Sequence, residues 1–183
     1  MVKHGSFYVV MGNGSTFLAP VTAYPTTTLT MALYNPEKGH KLVVKGLDYF
    51  LASGTAAAGS GLVACITAVA QARPTLSTGD NGGYANTVMS ELAGGGKPGS
   101  TKGLFINAIT LTGPQPAWAV VGGNPSGVGL ASAVFPGHVG SFDVIRYGFE
   151  VKEGHMLGVS VLSGAGTSPL FGFGVLFDDL DDA

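Results

Sequence analysis

The residues best suited to bind a metal are the four histidines, and they are widely separated along the chain. Zinc and iron sites need several ligands brought together, and the usual sequence signals are H-x-H or H-E-x-x-H spacings or paired cysteines. None of these spacings occurs around His4, His40, His138 or His155. The sequence therefore predicts no metal site and no cofactor.

Nucleophilic chemistry has equally little support in the sequence. The single cysteine, Cys65, lies in the apolar run Leu62–Ile66, which is typical of a small buried side chain, whereas a catalytic thiol needs a neighbouring base. No G-x-S-x-G element occurs to position a nucleophilic serine. The glycine-rich stretch Gly94–Lys102 is not a phosphate-binding loop, because Lys97 precedes Pro98 instead of following the last glycine. We therefore predict that the chain is not an enzyme and has no catalytic residues.

The composition is that of a folded protein with few charges. The 183 residues include 30 glycines and 10 prolines, so turns are frequent and long helices are not expected. Apolar residues make up 45% of the chain and charged residues only 11%, which excludes intrinsic disorder. A net charge of −2 gives no basic field for a nucleic acid and no polybasic patch for a membrane surface. We expect one compact domain that binds neither.

The few charges are unevenly distributed. Residues 1–102 hold seven bases and four acids, whereas residues 103–183 hold two bases and seven acids. In a homo-oligomer, the acidic end of one protomer would meet the basic start of its neighbour; chance is the alternative explanation. Four of the acids lie in residues 178–183, for which we predict a solvated, frayed terminus. The alternative for this acidic tail is a calcium contact or a clamp on a basic patch.

Alternation of apolar and polar residues with a period of two is the dominant pattern. It predicts an all-β sandwich or barrel of about eight to ten antiparallel strands. Asn35–His40 has the length, the proline and the glycine of a hairpin loop. Asn86–Leu92 fits either a short helix or a strand. The main strands are predicted at 26–34, 41–50 with a bulge at Gly46, 62–70, 103–111, 117–121, 141–150, 155–162 and 170–177.

The last of these strands shows what kind of core to expect. Phe171, Phe173 and Phe177 fall on one face, while the intervening glycines on the other face leave room for another backbone or sheet to approach. Large residues on one face of a strand are typical of two sheets that pack together. We also expect Trp118 to fill this core near the start of its strand, with a sugar-binding platform as the alternative.

Two stretches of the chain, Leu33–Val44 and Phe135–Phe177, have distinctive turn-and-strand patterns. The first is similar to the YNP–Gly–K–LV hairpin of tailed-bacteriophage structural proteins with a jelly-roll fold, and the second resembles the closing strands of the same group. The group includes head decoration (cement) proteins and tail or fibre tips, often built as TNF-like trimers. The resemblance implies a single-domain jelly-roll β-sandwich at 26–177, an N-terminal strand or arm at 1–25 and an acidic C-terminal tail at 178–183.

The resemblance also implies a mechanical function. A decoration protein binds the outside of the phage head as an oligomer, with a trimer favoured, and stabilises the shell through contacts with the major capsid protein. The segment Ser6–Met11 is then a strand of the domain or an arm laid on a partner, and Phe7, Tyr8 and Val10 are the candidate subunit or capsid interface. The N-terminus lacks the apolar core of a secretory signal, so we expect synthesis in the host cytoplasm and a location in the virion.

The alternative function is a receptor-binding module at a phage tail or fibre tip. Such a module would recognise a host surface glycan through loops at one end of the sandwich. The candidate loops in this sequence are Thr75–Gly83 and Gly122–Gly129.

Overall fold

The computed structural model describes residues 3–11, 17–56, 60–74, 88–90, 103–123, 137–143, 148–164 and 167–181. Within these ranges the chain forms eleven β-strands and no helix, which confirms the predicted all-β class. The strands are β1 (Lys3–Met11), β2 (Thr28–Tyr34), β3 (His40–Thr55), β4 (Gly61–Ile66), β5 (Val88–Ser90), β6 (Leu104–Thr110), β7 (Trp118–Gly123), β8 (Gly137–Asp143), β9 (Glu150–Val151), β10 (Met156–Leu162) and β11 (Thr167–Asp181). The eleven strands exceed the eight to ten that the sequence predicts. Two of them are very short: β5 has three residues and β9 has two.

The strands form two antiparallel sheets that pack as a β-sandwich. Among the described residues, sheet A has the order β5-β1-β11-β3-β8, with β9 paired to β3 beside this path, and sheet B has the order β6-β2-β10-β4-β7. Apolar side chains from both sheets form the main core, in which Phe171, Phe173 and Phe177 are at most 1% exposed. The face predicted for these phenylalanines is therefore confirmed.

Most connections cross from one sheet to the other. When the short strands β5 and β9 and the additional edge strand β6 are set aside, eight strands remain. Numbered along the chain, they follow the order 1-8-3-6 in sheet A and 2-7-4-5 in sheet B. The hairpin predicted at Asn35–His40 is therefore wrong, because this segment carries the chain from β2 in sheet B to β3 in sheet A. The crossing allows Leu33 and Leu42 to pack in the same core.

Asn35 fixes this crossing segment. Its Nδ2 donates hydrogen bonds to the carbonyl oxygens of His40 at 2.8 Å and Val151 at 3.0 Å, and its Oδ1 accepts one from the Glu37 N–H at 3.2 Å. The Asn35 side chain is fully buried, so these bonds replace those it would make to water. Gly39 completes the turn with a φ of +76°, a conformation that glycine adopts readily.

The bulge predicted at Gly46 lies one residue earlier in β3. The register between β3 and β11 changes between Val44 and Gly46, which leaves Lys45 as the extra residue. β3 is sixteen residues long and extends beyond the predicted end at 50. It continues because β11 pairs with it as far as Thr55, where it meets Thr167.

Other predictions are completed or corrected by the described residues. The strand alternative for Asn86–Leu92 holds at Val88–Ser90, which pairs with β1, and the rest of that segment lies outside the described residues. The strand predicted at 62–70 ends at Ile66. Thr67 is still buried and hydrogen-bonded to Met156, and the exposed loop begins at Ala68. The candidate glycan loops also lie outside the described residues, except for the two glycines that end β7.

Candidate functional site

The predicted interface residues Phe7, Tyr8 and Val10 lie on β1, an internal strand of sheet A. β1 pairs with β11 and, over residues 7–9, with β5, so this segment is a strand of the domain. The register pairs Phe7 with Phe177, which belongs to the core, whereas Tyr8 and Val10 pair with outer-face positions of β11. The interface role of all three residues stays a prediction.

The solvated terminus predicted for residues 178–183 is wrong for Asp178–Asp181. These four residues are the end of β11 and pair with β3, and the first three of them also pair with β1. Asp178 is 8% exposed and Asp179 is fully buried. Burying a carboxylate is unfavourable unless protein groups replace its water, so the strand continues only because such groups are present.

Three side chains on neighbouring strands supply those groups. Ser6 Oγ donates a hydrogen bond to Asp178 Oδ1 at 2.6 Å, and Lys45 Nζ lies 3.5 Å from Asp178 Oδ2. His40 Nδ1 lies 3.0 Å from Asp179 Oδ1. The acidic end of the chain is therefore held by residues far away in its own sequence.

The uneven charge distribution thus produces contacts between opposite charges within one protomer. Lys45 and His40 belong to the basic part of the chain and meet the acidic end within one protomer, and Lys41 Nζ also lies 3.8 Å from Glu150 Oε2. At these positions, the contact predicted between neighbouring protomers is made inside one protomer. The described residues contain no group of three or more His, Cys, Asp or Glu side chains able to hold a metal ion.

On the outer face of sheet A, aromatic rings cover Gly172 of β11. A Cβ on Gly172 would overlap Phe50 Cζ, so the Phe50 ring lies directly against this glycine. Phe17 packs edge-on against Phe50 with ring centroids 5.9 Å apart and an interplanar angle of 84°. The space expected above Gly172 is therefore filled by a side chain of the same sheet, not by another backbone or sheet.

The outer face of sheet B carries a second apolar cluster, separate from the main core. Ala32 and Tyr34 alternate along β2 with the core residues Met31 and Leu33, which places them on this outer face. Ile109, Leu111 and Trp118 pack against the cluster and are partly buried. Its buried members are Leu29, Ala32, Tyr34, Cys65 and Met156.

Cys65 is a packing residue in this second cluster. The side chain is 1% exposed, and burial raises the pKa of the Cys65 thiol to about 12. A thiol with this pKa is protonated at physiological pH and is a poor nucleophile. The prediction of a small buried side chain at this position is confirmed.

Trp118 does not fill the main core, so that prediction is wrong. Its ring packs on the outer face of sheet B, and its Nε1 donates a hydrogen bond to the Pro25 carbonyl at 2.9 Å. The Tyr24 ring lies beside it with centroids 6.5 Å apart. β7 is apolar on both faces, with Ala119 and Val121 directed to the core, so alternation cannot show which face is buried.

An exposed apolar surface surrounds this tryptophan. Val120, two residues along the same face of β7, is 58% exposed, and Tyr24 is 45% exposed. We call Tyr24, Trp118 and Val120 the β7 surface. Sequence reasoning gave no role to Val120, because its exposure depends on the position of β7 in its sheet, where it is the last of the strands that the structure describes.

Comparisons with protein-family models, with curated proteins and with solved structures give no match to this chain. The described residues contain no helix with the length and apolar character that a bilayer-spanning segment requires.

Proposed function

We propose that this chain is a virion structural protein of a tailed bacteriophage, of the head decoration type. It binds the outside of the capsid as a homo-oligomer, with a trimer favoured, contacts the major capsid protein and stabilises the shell. The resemblance of Phe135–Phe177 to the closing strands of phage structural proteins suggests this function. Leu33–Val44 resembles a hairpin of the same group in sequence, but here it crosses between the sheets and gives less support. The single observation that supports this proposal most strongly is the strand order of the sandwich.

We infer from that order that the sandwich is a jelly roll. A jelly roll has eight strands in two packed sheets, wound so that successive strands mostly alternate between the sheets. The orders 1-8-3-6 and 2-7-4-5 agree with this winding, and they also explain why Asn35–His40 crosses between sheets. This supports the fold that the phage resemblance implies.

The low charge of the chain supports an assembly function. Only 11% of the residues are charged, and several of these are paired with each other inside the protomer, as Lys45 is with Asp178 and Lys41 with Glu150. Few charges then remain to be dehydrated when protomers pack against each other or against a shell. A surface of this kind favours permanent association over a transient encounter.

The mechanism is then mechanical. The two sheets close most backbone hydrogen bonds within the protomer, so the domain is a rigid block that bridges capsid subunits. The buried and protonated Cys65 thiol supplies no nucleophile to this block. Shell stabilisation comes from the added contact area, not from chemistry.

The Tyr24–Trp118 pair favours the second candidate function, a receptor-binding module at a tail or fibre tip. Neighbouring, partly exposed aromatic rings are one way to bind a sugar, because the ring faces pack against its apolar C–H groups. Under this alternative the β7 surface faces the host cell.

Electron microscopy of the intact particle separates the two candidates. A decoration protein occupies the outer surface of the whole head, and its copy number is comparable to that of the capsid subunits. A receptor-binding module is confined to the tail or a vertex in far fewer copies. Density at the tail alone would contradict the decoration function.

A further inference from the structure

One side chain joins two connections that lie beside the second cluster, residues 68–74 after β4 and residues 111–117 between β6 and β7. Gln71 Nε2 donates hydrogen bonds to the carbonyl oxygens of Val69 at 3.0 Å and Thr112 at 2.9 Å. Its Oε1 accepts one from the Thr112 N–H at 2.8 Å and one from the Thr112 hydroxyl at 3.2 Å. Both ends of the amide are therefore satisfied, and most of its bonds lead to the other connection.

The two connections bury few other side chains. Within 68–74, Gln71 alone is buried, at 8% exposed, and Val69 is 41% exposed. Within 111–117, Pro116 alone is buried, and residues 112–115 are exposed. A segment with few buried contacts opens at a lower free energy than the core of a protein. The position of these connections therefore depends on a small number of hydrogen bonds.

Each connection has its own attachment to the body of the sandwich. The Gln71 N–H donates to the Gly154 carbonyl at 2.7 Å, and the Gln71 carbonyl accepts a bond from the Tyr34 hydroxyl at 3.3 Å. The Leu111 N–H donates to the Thr27 carbonyl at 2.7 Å. Both N–H groups are bonded to main-chain oxygens of the body, not to the Gln71 amide. Each of them therefore reports on the attachment of its own connection.

We propose that residues 68–74 and 111–117 form one lid beside the second cluster, with the Gln71 side chain as its latch, and that this lid opens as a unit while the two sheets stay folded. Leu111 and the adjoining Trp118 pack against the cluster, and Cys65 within the cluster is paired in register with Trp118. Opening of the lid therefore uncovers apolar residues that the closed protein shields. The inference does not depend on the proposed function.

Joint movement is the less costly way for the two connections to open. If one connection left alone, the three bonds between Gln71 and Thr112 would be lost. If both connections move together, these bonds are kept, and only the contacts with the body are exchanged for contacts with water. A polar group that loses its partner while still buried costs more than a typical net hydrogen bond contributes. The latch thus makes the two openings one event.

Amide hydrogen exchange of the wild-type protein, followed by NMR, tests this coupling without a mutation. The Gln71 and Leu111 N–H groups lie in different connections, yet we expect them to exchange with the same opening free energy, because one event exposes both. The amides of β10, the central strand of sheet B, should exchange much more slowly, since they require the sheet itself to open.

Gln71→Ala removes the latch and keeps the N–H at position 71. We expect exchange at position 71 and at Leu111 to become at least about tenfold faster, because several bonds of modest individual strength are lost. The two opening free energies should also become unequal, since each connection then opens alone. Gln115→Ala is the matched control, because Gln115 is exposed on the same connection. It should leave both amides unchanged, and the β10 amides should stay protected in both variants.

The Cys65 thiol gives a second readout, of the cluster itself. Cys65 is the only cysteine of the chain and is 1% exposed, so its reaction with dithionitrobenzoate requires the cluster to be uncovered. We expect Gln71→Ala to accelerate this reaction by a factor similar to that of the two amides, and Gln115→Ala to leave it unchanged.

The opposite results are distinct from one another. Different opening free energies for the two wild-type amides would overturn the single lid, and so would exchange of both amides only as slowly as that of β10. Faster amide exchange in Gln71→Ala with an unchanged Cys65 reaction would show that the lid does not shield the second cluster. None of these results depends on whether the protein binds a capsid.

Discussion

Gly172 on the outer face of sheet A lies beneath the partly exposed ring of Phe50, whereas Gly158 on the outer face of sheet B lies beneath the fully buried Leu29. Neither glycine leaves space for a methyl group, but the side chains that pack over them differ. Phe50 reaches the solvent and is able to swing aside. Leu29 is enclosed, and with Cys65 it forms part of a second small core.

The polar groups of the two faces differ in the same way. On sheet A, Lys45 and Ser6 meet the carboxylate of Asp178. On sheet B, the hydroxyls of Ser160 and Thr30 bond to each other at 2.8 Å. Sheet A therefore closes its outer face with charged pairs and movable rings. On sheet B the buried residues of the outer cluster are uncharged, although Arg73 and Glu153 lie close enough to Tyr34 to affect its pKa, and the exposed β7 surface lies beside this cluster.

We expect the largest loss of stability at Gly158, because the side chains that cover this glycine are enclosed. A Cβ on Gly158 would lie 2.7 Å from Leu29 Cδ2 and 2.9 Å from Cys65 Sγ, both inside the second cluster. We expect Gly158→Ala to lower the free energy of unfolding by about 3 kcal/mol, at the upper end of the usual range for overpacking. Urea denaturation followed by circular dichroism measures this change.

Gly172→Ala is the matched control on sheet A. Its new Cβ meets only the outer end of the Phe50 ring, which rotates toward solvent, so we expect a loss of about 1 kcal/mol. Phe50→Leu should remove part of that loss when combined with Gly172→Ala. Equal destabilisation by the two glycine substitutions would contradict the difference between the faces.

An effect smaller than that of Gly158→Ala is expected at the buried acidic end of sheet A. His40→Ala removes one partner from Asp179, whose side chain is 1% exposed. We expect a loss of about 2 kcal/mol, typical of a hydrogen bond to a buried charged group. His155→Ala is the control, because His155 Nδ1 contacts only the exposed carbonyl of Glu153, and we expect a change within about 0.5 kcal/mol. Similar values for the two histidines in thermal or urea unfolding would show that the Asp179 contact does not stabilise the fold.

The parts of the fold that could be predicted from sequence are those with local signals. Alternation identified the core phenylalanines of β11, and a glycine within an apolar run indicated the bulge beside Lys45. Asp178 and Asp179 gave no such signal, because aspartates at a chain end usually lie in solvent. Their partners Ser6 and His40 are 172 and 139 residues away in sequence, so only the sheet topology brings them together.

The β7 surface was missed for a related reason. Apolar residues occupy both faces of β7, so the pattern indicates a buried strand and places Trp118 in the main core. Among the described residues, β7 lies at the end of sheet B, and Val120 is exposed. Position within a sheet is set by pairing over long sequence distances, and no local pattern in this chain encodes it.

The central claim, that this protein reinforces a capsid, is tested most directly by heating phage heads. Under the proposed function a tailed phage encodes the chain, so expanded, undecorated heads of that phage are mixed with the purified protein and their disruption is followed by light scattering. The account predicts that the protein binds the heads and raises the temperature at which they break. Heads that bind the protein but break at the same temperature, or that do not bind it at all, would contradict the account.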